Sequence, residues 1–371
     1  MVERIFNFSA GPATLPDSVM AEAQTDMMSW KGAGLSVMEM SHRSKEYDSI
    51  IKDAEARLVR LLNIPDTHKV LFLQGGANTQ FAMIPLNFLA DGEKGDYIIS
   101  GEWAKKAHKE AKVVGKQANV VASSEDSNFS HIPARNTWNL SSDAKYVHYC
   151  SNNTIYGTCY NELPDFGHNN VICDMSSDFL SRPVDVSKFA MIYAGAQKNA
   201  GPAGVTIVII RKDWAEKIGT PNLPTMLKYK THFDKDSLYN TPPSYSIYIC
   251  GLVFKWIEEE IGGLSKMLEL NRKKSSMIYN AIDNSAGFYK GTVDNKNDRS
   301  LMNVTFKLPT PELDAKFIEE AKKRKMSGLK GYRTVGGIRA SIYNAHPLKG
   351  VETLVDFMEE FRKTHEKEAN A

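Results

Sequence analysis

Lys198 is the side chain around which the chemistry of this sequence gathers. It lies in Tyr193-Ala194-Gly195-Ala196-Gln197-Lys198-Asn199-Ala200-Gly201-Pro202-Ala203-Gly204. Ala194, Gly195, Ala196, Ala200 and Gly201 surround it with small groups and leave room for something bulky beside the amine. Partial desolvation would lower the pKa of that amine and let it act as nucleophile and base. A solvated lysine at the tip of a Gly-Pro hairpin would have the same local sequence, so Lys198 takes its meaning from the other residues. Asp174 follows Val171-Ile172-Cys173, where an unpaired carboxylate is costly. It suits a helix cap before Ser176 and Ser177, or an ion pair with a cationic ring nitrogen. Trp103 offers a flat face to an aromatic ligand or to the core. Gly75-Gly76-Ala77 can present backbone N–H groups to an anion at a helix start. It matches neither GxGxxG nor GxxxxGK[ST], which counts against a dinucleotide or a P-loop nucleotide.

The elements that must carry these residues alternate between strand and helix. Short apolar runs at Val70–Leu73, Tyr97–Ser100, Tyr146–Cys150, Val171–Cys173, Phe189–Tyr193 and Val205–Ile210 read as buried strands. Helices are expected over Asp17–Trp30, from Ser44 to about Leu62, and over Thr79–Leu89. Such alternation implies an α/β fold with a mainly parallel sheet, whose ligands gather at strand carboxyl ends. Gly75-Gly76, Trp103, Thr154, Asp174 and Lys198 all fall at or just beyond such ends. Past Lys212 the pattern loosens into an aromatic-rich loop containing Tyr239-Asn240-Thr241-Pro242-Pro243, then a helix over about Tyr245–Glu260 closed by Gly262-Gly263. The remainder reads as a small α+β unit: helix 263–283, strand 301–308, a helix capped by Thr310-Pro311, strand 338–343 and a final helix 350–365. The polar tail from Glu366 reads as frayed.

Composition bounds the partners. The 371 residues carry 46 Lys+Arg against 44 Asp+Glu, a net charge of +2, so bulk charge gives no support for nucleic acid or an anionic membrane as partner. Glu3 and Arg4 interrupt any apolar signal core, and no apolar run approaches the ~20 residues of a membrane span. The four cysteines form no CxxC pair and no metal-ligand spacing, as expected of reduced thiols in a cytoplasmic protein without a metal.

A lysine amine, a strand-end carboxylate, a stacking aromatic and an anion nest together fit pyridoxal 5'-phosphate as cofactor. The segments Ala194-Gly195-Ala196-Gln197-Lys198-Asn199, Asp174-Met175-Ser176-Ser177, Phe8-Ser9-Ala10-Gly11-Pro12 and Val335-Gly336-Gly337-Ile338-Arg339-Ala340-Ser341 together resemble the phosphoserine aminotransferase family, fold-type I enzymes of class V. The likeness runs from Phe8 to about Leu348. It implies a large cofactor-binding α/β domain over residues 16–260 with a seven-stranded sheet, a small α+β domain over 261–371, and an N-terminal segment, 1–15, joining them.

By the same resemblance, Lys198 carries the cofactor, Asp174 pairs with its ring nitrogen, Trp103 stacks on the ring and Thr154 bonds its hydroxyl side. Gly76, Ala77 and Gln197 hold its phosphate, helped by Asn240 and Thr241 from the other subunit of a homodimer. His42 and Arg43 receive the distal anion of the substrate, Arg339 clamps the α-carboxylate, and Arg333 grips the substrate phosphate. The implied reaction moves an amino group between L-glutamate and 3-phosphohydroxypyruvate, in serine biosynthesis. In one place the chain departs from the family, which commonly has histidine before the arginine of Gly331-Tyr332-Arg333. Tyr332 donates a neutral hydrogen bond and carries no proton-dependent positive charge.

Other fold-type I enzymes, such as an alanine–glyoxylate aminotransferase or a cysteine desulfurase, fit the arginine set less well, and the second also needs a catalytic loop cysteine. A non-catalytic nucleotide-binding α/β protein using Gly75-Gly76 is the reading from a different class. Colour separates it, because the cofactor makes the enzyme yellow.

Overall fold

In the computed structural model, residues 4–368 are described; the expectation for the tail beyond Glu368 lies outside them. The first strand, β1 (Phe6–Asn7), pairs in parallel with a short strand far along the chain, Met326–Ser327. The large sheet follows. Its strands are β2 (His68–Leu73), β3 (Lys94–Ile99), β4 (Gln117–Ser123), β5 (Val147–Cys150), β6 (Val171–Asp174), β7 (Met191–Gly195) and β8 (Thr206–Arg211). They lie in the order β2-β8-β7-β6-β5-β3-β4, and β8 alone runs antiparallel to its neighbours. This is the expected seven-stranded, mainly parallel sheet.

Period-two alternation explains why the strands read as continuous apolar runs. Ile192, Ile207 and Ile209 enter one core, whereas Met191, Tyr193, Val208 and Ile210 enter the core on the opposite face. Covered on both sides, β6 carries its one charged side chain, Asp174, at its end.

A separate core holds the C-terminal unit. It gathers Ile278, Phe306, Phe317, Ile338, Val351 and Phe361, together with Phe8 from the N-terminal segment. Its sheet is made of β9 (Lys290–Gly291), β10 (Asn303–Lys307) and β12 (Ile338–Ser341), with β11 being the Met326–Ser327 partner of β1. Helices Leu264–Asp283, Pro311–Lys323 and Leu348–His365 cover it. Thr310 caps the second of these by accepting from Leu313 N at 3.2 Å, with Pro311 in the first turn, as the sequence implies.

Several boundaries move. The first helix ends at Thr25, short of Trp30; Asp26 caps it and accepts from the Tyr248 hydroxyl at 2.8 Å. The helix expected to begin at Thr79 begins at Gly76, because the glycine turn itself enters the first turn. Helix Glu102–Val113 and strand β4 are additions to the expected elements. Among the described residues no helix is long and apolar enough to cross a membrane.

Candidate active site

The carboxyl ends of β5, β6 and β7 open on one cavity of about 150 Å³. Gly76, Ala77, Trp103, Thr154, Asp174, Gln197 and Lys198 all line it, so seven of the residues singled out above stand around one space.

Lys198 sits on the connection between the antiparallel neighbours β7 and β8. The connection is a hairpin, yet its lysine turns inward: Nζ donates to Thr154 Oγ1 at 2.8 Å. Burial of the amine pushes its pKa down to about 8, with the Arg339 guanidinium pushing the same way and Asp174 opposing both. Gly11 explains part of that enclosure. Its φ is +131°, and a Cβ there would stand 3.3 Å from Lys198 Cγ, so the N-terminal segment lies directly on the lysine stem. Ala13 N donates to Gln197 O at 2.9 Å and fixes the contact.

Lys274 has a pKa pushed lower still, to about 7, but it is sealed within the C-terminal unit. Position, not acidity alone, selects Lys198.

Asp174 closes β6 beside Tyr193 of β7 and is buried. Its Oδ1 accepts from Ser176 N at 2.9 Å, so the expected cap-like turn is real. Burial nevertheless raises its pKa; the Ser176 hydrogen bonds and the charge of Lys198 only partly offset this. A carboxyl left short of counter-charge at the wall of a cavity is suited to a cation inside it.

The anion nest is the start of helix Gly76–Phe88. Gly75 is required there: φ is +91°, and a Cβ would fall 2.1 Å from Thr79 Oγ1. At Gly76, φ is +67° and a Cβ would meet nothing within 4 Å, so the bare backbone faces open space. Trp103 lies across the cavity, its indole centroid 5.7 Å from Lys198 Nζ and 4.5 Å from Lys106 Nζ. Its Nε1 is buried without a partner, as is Arg339 Nε. Open nest, unpartnered donors, a depressed amine and an under-compensated carboxyl together fit a planar cationic ring carrying a phosphate.

The remaining residues divide. Arg339 is half-buried on β12, opposite Thr305 of β10, and Tyr332 is near enough for its hydroxyl to act on the guanidinium. Arg333 is exposed on the 331–337 turn. None of His42, Arg43, Asn240, Thr241, Arg333 and Arg339 is among the residues lining the Lys198 cavity of the chain. Thr241 Oγ1 and His42 Nδ1 are instead 3.1 Å apart, and Asn240 lines a separate cavity with Gln74, Gly75 and Thr79. Sequence reasoning passed over Cys150, Asn152, Ser176 and Ser177, which also line the main cavity. Of these, Ser176 Oγ accepts from Gly195 N at 3.0 Å and ties the ends of β6 and β7 together.

The class of protein follows from comparison with known families. A family model described as aminotransferase class-V matches residues 5–354. A phosphoserine aminotransferase of Desulfosudis oleivorans is 54% identical over 365 residues, covering 98% of this chain and 100% of the relative. The structure of the phosphoserine aminotransferase from Bacillus circulans subsp. alkalophilus superposes with a TM-score of 0.95 at 50% identity, covering 98% of this chain and 100% of that one. The Trichomonas vaginalis phosphoserine aminotransferase, solved with pyridoxal phosphate bound, gives 0.91 at 42% identity, covering 96% and 100%. The chain belongs to the phosphoserine aminotransferase family of class V aminotransferases.

The depressed amine makes a prediction of its own. In cofactor-free protein, the lysine reacts only as its neutral form. The rate of covalent capture of pyridoxal phosphate should therefore rise about tenfold per pH unit up to about pH 8 and level above it. Stopped-flow absorbance across about pH 6–9.5 checks this, and a rate still rising near pH 10 would place the amine in open solvent.

Proposed function

We propose that this protein transfers an amino group between L-glutamate and 3-phosphohydroxypyruvate, yielding O-phospho-L-serine and 2-oxoglutarate with pyridoxal phosphate as cofactor. The observation that carries the reading is the lowered Lys198 amine enclosed in one cavity with Asp174 and the Gly76–Ala77 nest. Bound there, the cofactor supplies an electron sink for the pair left when a Cα proton departs. The residues do the rest. Gly76 and Ala77 offer main-chain N–H groups to the phosphate at a helix N-terminus, with Gln197 beside them. Trp103 would offer its face to the ring, Thr154 would bond its hydroxyl side, and Asp174 would hold the charge of the ring nitrogen. Lys198 would take the Cα proton of the amino acid as general base and, as general acid, deliver it to the cofactor carbon on the other side of the amino nitrogen. Arg339 clamps the α-carboxylate and Arg333 receives the phosphate, with Tyr332 as a neutral donor. Incubating purified protein with glutamate and each of several oxo acids, phosphorylated and not, tests the substrate. Faster turnover with glyoxylate or pyruvate than with 3-phosphohydroxypyruvate would overturn it.

The division into residues 16–260 and 261–371, joined by 1–15, is supported by the separate core of the C-terminal unit. A cytoplasmic location is supported by four buried cysteines without disulfides.

The homodimer carries a further part of the reading. His42 and Thr241 are bonded to each other, so whatever cavity the Asn240–Thr241 loop serves, His42 and Arg43 travel with it. In a two-fold pair this loop completes the site of the other subunit. Thr241→Ala should then weaken cofactor binding by about 1.5–3 kcal/mol, one hydrogen bond to a charged group. Mixing inactive Lys198→Ala subunits with inactive subunits lacking Asn240 and Thr241 sharpens the test. A mixed dimer has one site with both lysine and loop intact, so activity should return. No recovery after verified subunit exchange would mean that each loop serves its own chain.

A further inference from the structure

Lys274 lies midway along helix Leu264–Asp283 with none of its surface exposed. Among the described residues it has no carboxylate partner; its Nζ faces four main-chain carbonyl oxygens instead. They belong to Tyr343 at 2.7 Å, Ile342 at 3.1 Å, Asn344 at 3.2 Å and His346 at 3.3 Å. An ammonium carries three donors and no acceptor, whereas a neutral amine brings only two donors and adds a lone pair that would face the oxygens. Burial pulls the amine down to about 7, and the convergent carbonyl dipoles favour its protonated form. The cage thus resembles the oxygen shells that hold bare monovalent cations, with the cation tethered to a helix.

The caged loop reaches the reacting amine from two sides. It continues from β12, the strand that carries Arg339. Tyr343 OH donates to Ala10 O at 2.8 Å, in the segment that lies on the Lys198 stem. Asn344 N donates to Asn199 Oδ1 at 2.9 Å, the residue following Lys198. Asn271, one turn before Lys274, holds the same loop by donating to Asn344 Oδ1 at 2.9 Å, and it also donates to Ser181 O at 3.1 Å. Asn344 Nδ2 in turn donates to Leu180 O at 2.9 Å.

We propose that Lys274 is a positioning residue: its ammonium, seated among four carbonyls, holds the 342–346 loop and thereby fixes where Lys198 stands, through Asn344–Asn199 and Tyr343–Ala10. This rests on Lys198 being the reacting amine. Lys274 itself touches neither cofactor nor substrate.

The test uses the full-length, cofactor-loaded protein. Lys274→Met keeps most of the stem volume and removes the donors. Releasing the loop admits water to Lys198 and relieves its desolvation, so the pH midpoint of the visible absorbance should rise by about half a unit or more. Displacing the amine should lower kcat roughly 10- to 100-fold. Asn199→Ala should shift the midpoint the same way. The double variant should shift less than the two single shifts combined, because both cut one connection. Should Lys274→Met fail to fold, Lys274→Gln carries the test, since one amide keeps a polar group there but cannot satisfy the carbonyls that the ammonium holds. A folded variant, Lys274→Met or Lys274→Gln, with wild-type midpoint and kcat overturns the proposal. An error in the Lys198 assignment shows differently: borohydride would then fix the cofactor to another lysine in the wild-type protein.

Discussion

Replacement of Lys198 by alanine should reduce amino-group transfer by at least about four orders of magnitude, because a positioned base and a covalent anchor are lost in one change. The residue does three things that no neighbour can assume. Its amine is the one placed in the cavity with Asp174 and the Gly76 nest, it is held by Thr154, and burial makes it available as a neutral base near pH 8. The competing lysines fail for separate reasons. Lys106 lies over the Trp103 ring but does not line the cavity, and Lys274 is locked among carbonyls. The variant should still bind the cofactor through its phosphate, and borohydride should no longer attach it to the chain. A mass-spectrometric map of the reduced protein decides the point: attachment at a different lysine, in either form, would refute the assignment. Removing a half-buried side chain from a small-residue loop costs little packing, so the melting temperature should stay near that of the wild type.

How far the sequence revealed this arrangement depended on the kind of signal. Asp174 and Lys198 were legible because each ends an apolar run that is buried on both faces, where a charged side chain stands out. Strand β4 was not, since Gln117, Asn119 and Ser123 break its apolar pattern and several of its residues face outward. Helix Glu102–Val113 hid for the opposite reason: its buried face is Ala104, Ala107 and Ala111, which lack the bulk that marks a helical stripe. Local sequence could not place His42 beside Thr241, because their contact spans 199 residues of chain. The resemblance named both as site residues, and the fold put them away from the Lys198 cavity of the chain. Lys274 sits in Arg272-Lys273-Lys274, which reads as the solvated side of an amphipathic helix. Only the tertiary fold of the 342–346 loop turns that lysine inward.

Asp174→Asn should separate charge from shape. Asparagine keeps the volume, and its Oδ1 can still accept from Ser176 N, as Asp174 Oδ1 does at 2.9 Å. What disappears is the negative charge, and with it the reason for a ring nitrogen to stay protonated. Burial raises the Asp174 pKa and so disfavours its charged form, and a cation beside it acts in the opposite direction. Cofactor binding should therefore weaken modestly, while proton removal from glutamate slows roughly 10²–10³-fold, the scale for losing one preorganised electrostatic partner. Single-turnover absorbance with glutamate measures the step directly. The buried neighbour Asp178 supplies the control. It faces Arg182, whose Nη2 is 3.2 Å away, and it accepts from Ser151. Asp178→Asn should leave Arg182 without its counter-charge and cost about 3–5 kcal/mol of stability, with no comparable selective loss in the proton-transfer step. If the two variants exchanged these signatures, Asp178 and not Asp174 would be the carboxylate that serves the cofactor. Near-normal proton transfer in both would mean that no carboxylate at the end of this strand does so.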